Sequence, residues 1–181
     1  MEPFMNGKMI EAKKLREYAE LTIESKPGIY KWWAEKAELK IIFDMLGVPL
    51  KDIESGIEQN NGLYCIYVGQ ANSLEDRLKG NHVNGREKST LRKSIGSVLL
   101  RKYGSKDIEK KINVFIDKLN IEYKLVSQDK LDDAEKIEIG TQYLRVFNSK
   151  HNKHSLRTKY GITGKLTDLR KEFEKNNINS L

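Results

Sequence analysis

The chain has 181 residues with a formal net charge of +7, and 38% of them are hydrophobic and 33% charged. No run approaches the ~18 apolar residues of a membrane span, the first residues lack the apolar stretch of a signal peptide, and the lone Cys65 excludes an internal disulfide. We therefore expect one soluble, cytoplasmic domain without membrane association, whose positive charge favours nucleic acid as a partner.

The first third of the chain predicts a helix, a strand and two further helical segments. Apolar residues at helical spacing over residues 9–25 predict an amphipathic helix, which a proline–glycine pair ends. Residues 29–34 are aromatic and β-branched, a composition typical of a strand. Residues 36–46 predict a second helix, and residues 50–59 predict a short third one.

The middle of the chain predicts a second strand followed by three helices. An Asn-Asn-Gly turn precedes the apolar run at residues 63–69, which predicts the strand. Residues 71–80 continue with a helical pattern whose acidic residues lie in the first turn, where the helix dipole favours them. Residues 89–104 and 106–120 each place apolar residues on one face and predict the other two helices.

The last third predicts a third strand and two helices. Residues 121–127 alternate between apolar and polar side chains, as a half-buried strand does. Residues 130–146 predict a helix that a glycine weakens, and residues 165–175 predict the final one. The elements together predict an α+β fold, in which a small antiparallel three-stranded sheet is flanked by helices.

Two short motifs and an arginine stand in a specific order. Gly28-Ile29-Tyr30 begins one predicted strand, Tyr67-Val68-Gly69 ends the next, and Arg77 follows on the helix after it. This order resembles the GIY-YIG nuclease superfamily over residues 27–155. The family usually joins the two motifs by a tight hairpin, whereas 36 residues separate Tyr30 from Tyr67 here. The helical insertion is similar to that of GIY-YIG members that act as restriction endonucleases.

A second candidate for the first motif is Gly62-Leu63-Tyr64, in the same strand as Tyr67. Residues three apart in a regular strand point to opposite faces, so we expect Tyr64 and Tyr67 to diverge. Tyr30, on a separate strand paired with residues 63–69, can approach Tyr67. We therefore assign Tyr30 to the motif.

The resemblance implies roles for four side chains. Tyr30 would be the general base, and Tyr67 would orient the water or the phosphate. Arg77 offers a permanently charged fork that matches a phosphate group. His82 lies five residues after the arginine, and the resemblance implies a second polar group there near the phosphate. The alternatives are two tyrosines that fill a core and an exposed loop histidine.

The resemblance also implies a metal-binding glutamate and a supporting asparagine on later segments. Glu135 and Glu138 lie one helical turn apart and can share a face. We favour Glu138 as the metal ligand, with Glu135 as the alternate, because Glu138 lies closer to Tyr143-Leu144, which resembles the aromatic-aliphatic pair of the family. Either could instead be a solvated helix charge. Asn152 is preferred to Asn148 for the asparagine by its spacing from Glu138. A single carboxylate with water ligands suits Mg²⁺, or Mn²⁺ in its place.

The expected function is a metal-dependent endonuclease that hydrolyses DNA phosphodiester bonds, in a restriction or repair role. The alternative is a non-catalytic nucleic-acid-binding module on the same scaffold. Basic residues follow the arginine helix and recur near the second asparagine, where they could contact DNA phosphates: Lys79, Arg86, Lys88, Arg92, Lys93, Lys150 and Lys153.

The motifs also predict a domain organisation. Residues 1–26 form an N-terminal helical extension, and residues 27–155 form the nuclease-like domain, with its helical insertion at about 35–61. Residues 156–181 form a basic, helical C-terminal tail. The sequence pattern specifies no oligomeric state.

Overall fold

The computed structural model describes residues 8–140, 142–148 and 150–178. Its centre is an antiparallel sheet of five strands: β1 (Lys8–Glu11), β2 (Gly28–Ala34), β3 (Gln59–Asn60), β4 (Leu63–Ala71) and β5 (Asn120–Leu125). Their order in the sheet is β1-β5-β2-β4-β3. The α+β class is confirmed. The three expected strands are the central ones, β5, β2 and β4. The expectation of a three-stranded sheet is wrong, because the short strands β1 and β3 add one strand at each edge.

Eight helices surround this sheet in the described part of the chain. One of them, Asp76–Val83, is wound as a π-helix. The others are α1 (Ala12–Glu17), α2 (Lys36–Leu46), α3 (Thr90–Tyr103), α4 (Ile108–Asp117), α5 (Leu131–Ile139), α6 (Ser155–Lys159) and α7 (Ile162–Ile178).

The N-terminal segment departs most from its sequence-based prediction. The helix expected over residues 9–25 is reduced to α1, because the residues before it form β1. Ile10 pairs with Ile121 of β5 and is buried, so a strand at the sheet edge replaces the start of the helix. Pairing with the sheet thus overrides the helical spacing of the apolar residues.

Two other segments are shorter than predicted. Residues 50–59 form two single 3₁₀ turns, Leu50–Asp52 and Glu54–Gly56, followed by β3, rather than one helix. The helix expected over residues 130–146 ends at Ile139, where Gly140 follows. Glycine inside a helix costs about 1 kcal/mol relative to alanine, which favours the break.

A β-bulge in β4 changes which side chains share a face. Trp32 pairs with Tyr67 and Trp33 pairs with Cys65, so Ile66 is the extra residue. The bulge places Tyr64 on the same face as Tyr67, and the expectation that these two tyrosines diverge is therefore wrong. Tyr64 nevertheless pairs with Ala34 at the far end of β2, where its hydroxyl donates to Glu54.

The two faces of the sheet pack against different helices. The main core lies on the face of Tyr30 and Trp32 and includes side chains of α2, α3, α4 and α7. The opposite face carries Trp33 and Cys65, and α5 packs there. The N-terminal strand joins the sheet and α7 packs along α3, so both terminal segments belong to the same folded unit. None of the helices in the described ranges has the length and apolarity needed to cross a bilayer.

Candidate active site

The pairing of β2 with β4 brings the two motifs side by side. Tyr30 lies directly opposite Gly69, and its ring crosses the backbone there. A Cβ atom at Gly69 would overlap the hydroxyl and ring of Tyr30. At Gly28, a Cβ would overlap the carbonyl oxygen of Lys124 and the side chain of Leu74. Each motif therefore needs its glycine for close packing, because even a methyl group has no room.

The π-helix explains the five-residue spacing of Arg77 and His82. In an α-helix, residues five apart point about 140° away from each other, since each residue turns the helix by about 100°. A π-helix forms hydrogen bonds between residues five apart, as the N–H of Asn84 does with the carbonyl of Lys79 at 3.2 Å. This winding turns Arg77 and His82 to the same side of the helix, toward Tyr30.

The hydroxyl of Tyr30 is the meeting point of these side chains. Arg77 Nε donates to Tyr30 Oη at 3.3 Å, and His82 Nε2 lies 2.8 Å from the same oxygen. The guanidinium of Arg77 also interacts with the hydroxyl of Tyr67. The rings of Tyr30 and Tyr67 are 6.4 Å apart between centroids. Four sequence-predicted site residues thus converge.

Burial dominates the electrostatics of this cluster. Tyr30 is fully buried, which raises the pKa of its hydroxyl well above the ordinary value, and nearby Tyr67 raises this pKa further while Arg77 opposes the rise. His82 is also fully buried, and burial, followed by the charges of Arg77 and Arg92, lowers its pKa well below the ordinary value. His82 is therefore a neutral imidazole at pH 7, rather than the exposed loop histidine of the alternative.

A cavity of about 500 Å³ opens beside Tyr67. Tyr67 forms part of its wall, and Tyr30 is buried in the core next to Tyr67. Glu135 of α5 lines the same cavity, and burial, with the charge of Asp132, raises the pKa of this carboxyl while His151 opposes the rise. We call this cavity the cleft. Its lining includes Tyr67, Thr90, Asp132, Glu135, Asn148 and Arg170.

Residues 28–172 match the family model described as the GIY-YIG catalytic domain, which covers most of the chain. The chain belongs to the GIY-YIG family. Members of this family are generally nucleases. Comparison with curated proteins and with solved structures gives no significant match. The matched range begins at the first motif and includes the insertion, the cleft and most of α7.

The two candidate glutamates occupy different surroundings in this GIY-YIG fold. The structure places Glu138 away from the cleft, where Lys31 Nζ lies 3.1 Å from its carboxylate and both side chains are buried. Lys31 also pairs with Glu58 at 3.0 Å, and Arg145 pairs with Glu58 at 2.5 Å. Glu138 is thus committed to a buried ionic network, whereas Glu135, the alternate, faces the cleft beside Tyr67.

The two candidate asparagines also separate. Asn148 bonds the backbone of Val68, the central residue of the YVG motif, accepting from its N–H at 2.9 Å and donating to its carbonyl at 2.8 Å. Asn148 also lines the cleft. Asn152 is buried and holds a turn, because it donates to Arg145 O at 3.4 Å and accepts from His154 N at 3.2 Å. The structure therefore brings Asn148 to the site and leaves Asn152 behind it.

The basic residues expected to contact DNA divide by exposure. Arg92 is buried, donating to the carbonyls of His82 and Val83 at 3.2 Å and pairing with Glu109 at 2.8 Å. Lys79 donates to the carbonyls of Ala19 and Leu21, and Lys93 pairs with Glu174. These three side chains are engaged within the fold. The remaining four are exposed, and Lys150 borders the cleft: Arg86, Lys88, Lys150 and Lys153.

Two residues at the site were not expected in these roles. Arg170 of α7 lines the cleft and donates to Phe147 O at 3.0 Å and to Ser94 Oγ at 2.6 Å, and its charge opposes the raised pKa of Tyr67. Nothing in the helical pattern of residues 165–175 marks this arginine. Ser89 lies 2.6 Å from His82 Nδ1, and the sequence marks it only as the start of a helix.

Proposed function

We propose that the protein is a divalent-metal-dependent endonuclease that hydrolyses DNA phosphodiester bonds. One observation carries this proposal: the Tyr30 hydroxyl lies within hydrogen-bonding reach of both Arg77 and the neutral His82. A core tyrosine needs one partner for its hydroxyl, whereas this one has a cationic donor and a proton acceptor. That pairing suits a group that passes a proton during a reaction.

The proton path runs from water through Tyr30 to His82. The attacking water gives its proton to Tyr30 Oη, while the proton of Tyr30 moves to His82 Nε2, 2.8 Å away. The resulting hydroxide attacks the phosphorus, and the bond between phosphorus and the leaving oxygen breaks. The leaving oxygen takes a proton from solvent, and the imidazolium releases its proton to solvent through Tyr30, which restores the starting state. Because burial disfavours the imidazolium, His82 would carry the proton only transiently. Tyr67 lines the cleft, and the ring of the fully buried Tyr30 lies 6.4 Å away between centroids, so we expect the Tyr67 side chain to move when the substrate phosphate binds.

Arg77 would stabilise the charge of the phosphate. Its side chain is half-buried and contacts both tyrosine hydroxyls, so the guanidinium is oriented before substrate arrives. A guanidinium remains charged at any working pH and can bind two phosphate oxygens together. Charge that develops on the nonbridging oxygens would then meet a fixed positive group.

Glu135 and Asp132 are the residues that would hold Mg²⁺ or Mn²⁺. They lie one turn apart on α5, and both line the cleft. Their proximity contributes to the raised pKa of Glu135, and a bound cation would relieve this repulsion. Both side chains offer carboxylate oxygens, which Mg²⁺ binds while it keeps several water ligands. When bound, the ion would supply charge stabilisation to the phosphate and the leaving oxygen.

The exposed lysines and arginine would guide DNA to the cleft. Arg86 and Lys88 follow the π-helix, and Lys150 and Lys153 follow the cleft-lining Asn148. Their contacts would be ionic and independent of base sequence, so binding should weaken as salt rises.

A second candidate is a nucleic-acid-binding module that does not cleave. It is favoured by the complete burial of Tyr30, which keeps the hydroxyl away from solvent in this conformation. The basic surface would serve both functions equally. The two candidates differ in whether the Tyr30 hydroxyl meets a water molecule when DNA is bound.

The decisive experiment is cleavage of supercoiled plasmid and of branched DNA by the full chain with Mg²⁺, with and without EDTA. We expect nicking that EDTA abolishes and that Arg77→Ala reduces by about 10³-fold. Arg101→Ala is the matched control, because Arg101 is exposed and pairs with Glu172 on the surface. DNA retention without cleavage on any substrate would favour the binding module. Equal cleavage by wild type and Arg77→Ala would refute the proposed mechanism.

A further inference from the structure

Each ring nitrogen of His82 has a hydroxyl partner. Tyr30 Oη lies 2.8 Å from Nε2, and Ser89 Oγ lies 2.6 Å from Nδ1. Ser89 is the N-cap of α3 and accepts the N–H of Arg92 at 3.1 Å. All three side chains of this chain of hydrogen bonds are buried. These hydrogen bonds do not depend on what the protein does, whereas their effect on catalysis rests on the proposed nuclease function.

The number of protons leaves two possible arrangements. A neutral imidazole carries one N–H, and the two hydroxyls carry one proton each, so three protons are available for the two hydrogen bonds of His82. If Nδ1 is protonated, it donates to Ser89, and Tyr30 donates to Nε2. If Nε2 is protonated, it donates to Tyr30, and Ser89 donates to Nδ1. In the first arrangement, the hydroxyl proton of Ser89 takes part in neither hydrogen bond. In the second arrangement, this is true of the hydroxyl proton of Tyr30.

Burial decides between these arrangements. Tyr30 has 0% exposure, and its oxygen already accepts from Arg77, so its proton needs His82 as the acceptor. Ser89 borders a cavity of about 760 Å³ together with Lys88 and Thr90, so its hydroxyl proton can turn toward water there. A buried donor without a partner loses its hydrogen bonds to water and gains none in the fold, which destabilises the protein. The first arrangement avoids that cost.

We propose that Ser89 is a positioning residue that keeps the proton of neutral His82 on Nδ1 and thereby leaves Nε2 free to accept the proton of Tyr30. During the reaction, the O–H bond of Tyr30 breaks, an N–H bond forms at Nε2, and Tyr30 receives a proton from water. The imidazolium then keeps its Nδ1–H bond to Ser89. Without this hydroxyl, the ring would be free to carry its proton on Nε2 and would not accept from Tyr30.

The capping role of Ser89 must be separated from this positioning role. Alanine at an N-cap destabilises a helix much more than glycine does. Both substitutions remove the partner of Nδ1, and threonine retains both the cap and the hydroxyl. Comparison of Ser89→Ala, Ser89→Gly and Ser89→Thr therefore distinguishes an effect on His82 from an effect on the helix.

The test reads the ring protons directly by long-range ¹H–¹⁵N NMR of the full chain with labelled histidine. The three histidines of the sequence are assigned with His151→Gln and His154→Gln. We expect His82 protonated on Nδ1 in wild type and Ser89→Thr, and a shift toward Nε2–H in Ser89→Ala and Ser89→Gly. Wild-type His82 protonated on Nε2 would overturn the proposal, whatever the cleavage activity.

The kinetic arm uses the same variants with plasmid DNA. We expect alanine and glycine to lower kcat equally, by between about tenfold and 100-fold, a part of the 10²–10⁴ that a positioned proton acceptor supplies. KM should stay unchanged, and threonine should restore kcat. A loss in alanine that glycine does not share would assign Ser89 to capping alone and refute the positioning role. The predicted Nδ1–H signal with no cleavage by wild type would refute the nuclease function while the assignment of Ser89 stands.

Discussion

Two neighbouring residues of β2, Tyr30 and Lys31, face opposite sides of the sheet, where their partners are mainly neutral groups and charged groups, respectively. Tyr30 joins a chain of neutral hydrogen-bonding groups, His82 and Ser89, with Arg77 as the nearest charge. Lys31 joins a buried ionic network with two glutamates, to which Arg145 also belongs. One face therefore holds groups that can exchange protons, and the other holds charges that are fixed in pairs.

The ionic network and the neutral chain of hydrogen bonds respond differently to the loss of one member. A buried ion pair requires both partners, since removing one leaves a desolvated charge. Such a network anchors segments that are distant in sequence: Glu58 comes from the insertion and Arg145 from the segment after α5. A neutral chain loses less when one member changes, and its protons can move. The ionic face should therefore set stability, and the neutral face should set activity.

Tyr30→Phe tests the neutral face and should have the largest effect. Loss of the hydroxyl removes the proton path, so we expect cleavage to fall by about 10²- to 10⁴-fold. A phenyl ring fills the same space, but His82 Nε2 loses its buried partner, so we expect the free energy of unfolding to fall by about 1–3 kcal/mol. Tyr64→Phe is the matched control, since Tyr64 shares the face but bonds Glu54 at the far end of the strand. Comparable losses in both variants would contradict the assignment of Tyr30.

Lys31→Met tests the ionic face. It removes the cation from Glu58 and Glu138, and we expect the free energy of unfolding to fall by about 3–5 kcal/mol. Urea unfolding followed by circular dichroism measures the change. Lys36→Met should cost far less stability than Lys31→Met, because Lys36 pairs with Glu54 on the surface, where water screens the charges. A stability loss no larger in Lys31→Met than in this control would show that the network does not anchor the fold.

The two glutamates of α5 lie in different surroundings, Glu135 in the cleft and Glu138 in the buried ionic network. Glu135→Gln should raise the Mg²⁺ concentration that half-maximal cleavage requires, because it removes a carboxylate ligand from the cleft. Glu138→Gln should instead lower the unfolding midpoint and leave the Mg²⁺ dependence of the folded protein unchanged. Metal titrations of the cleavage rate measure the first effect. If only Glu138→Gln alters the Mg²⁺ dependence of cleavage, the metal ligand is Glu138 rather than Glu135.

The smallest expected effect is the pH dependence of stability without metal. Folding raises the pKa of Glu135, so the folded state holds this proton more tightly than the unfolded state. The stabilisation is complete below the unfolded pKa and is lost as pH rises through the folded pKa. Glu135→Gln should therefore be slightly more stable than wild type at pH 7, with the difference vanishing in acid. A variant less stable at pH 7 than wild type would contradict this sign.

The sequence determined the local features of the site. It indicated the two motifs, the strands that carry them, and the helix with Arg77, because glycine, strand composition and helical spacing are properties of short segments. It also indicated His82, whose spacing of five residues from Arg77 the π-helix accommodates. The three central strands follow from the same local signals, whereas β1 and β3 are short edge strands without such a signal.

Only the tertiary structure decided which distant groups meet. Glu135 and Glu138 are equivalent in sequence, but the orientation of α5 turns one to the cleft and the other to Lys31. The bulge at Ile66 reverses the face expected for Tyr64, and such a shift depends on the pairing of two strands. The positions of Ser89 and Arg170 likewise depend on how α3 and α7 pack, since side-chain contacts between distant segments have no periodic signal in the sequence.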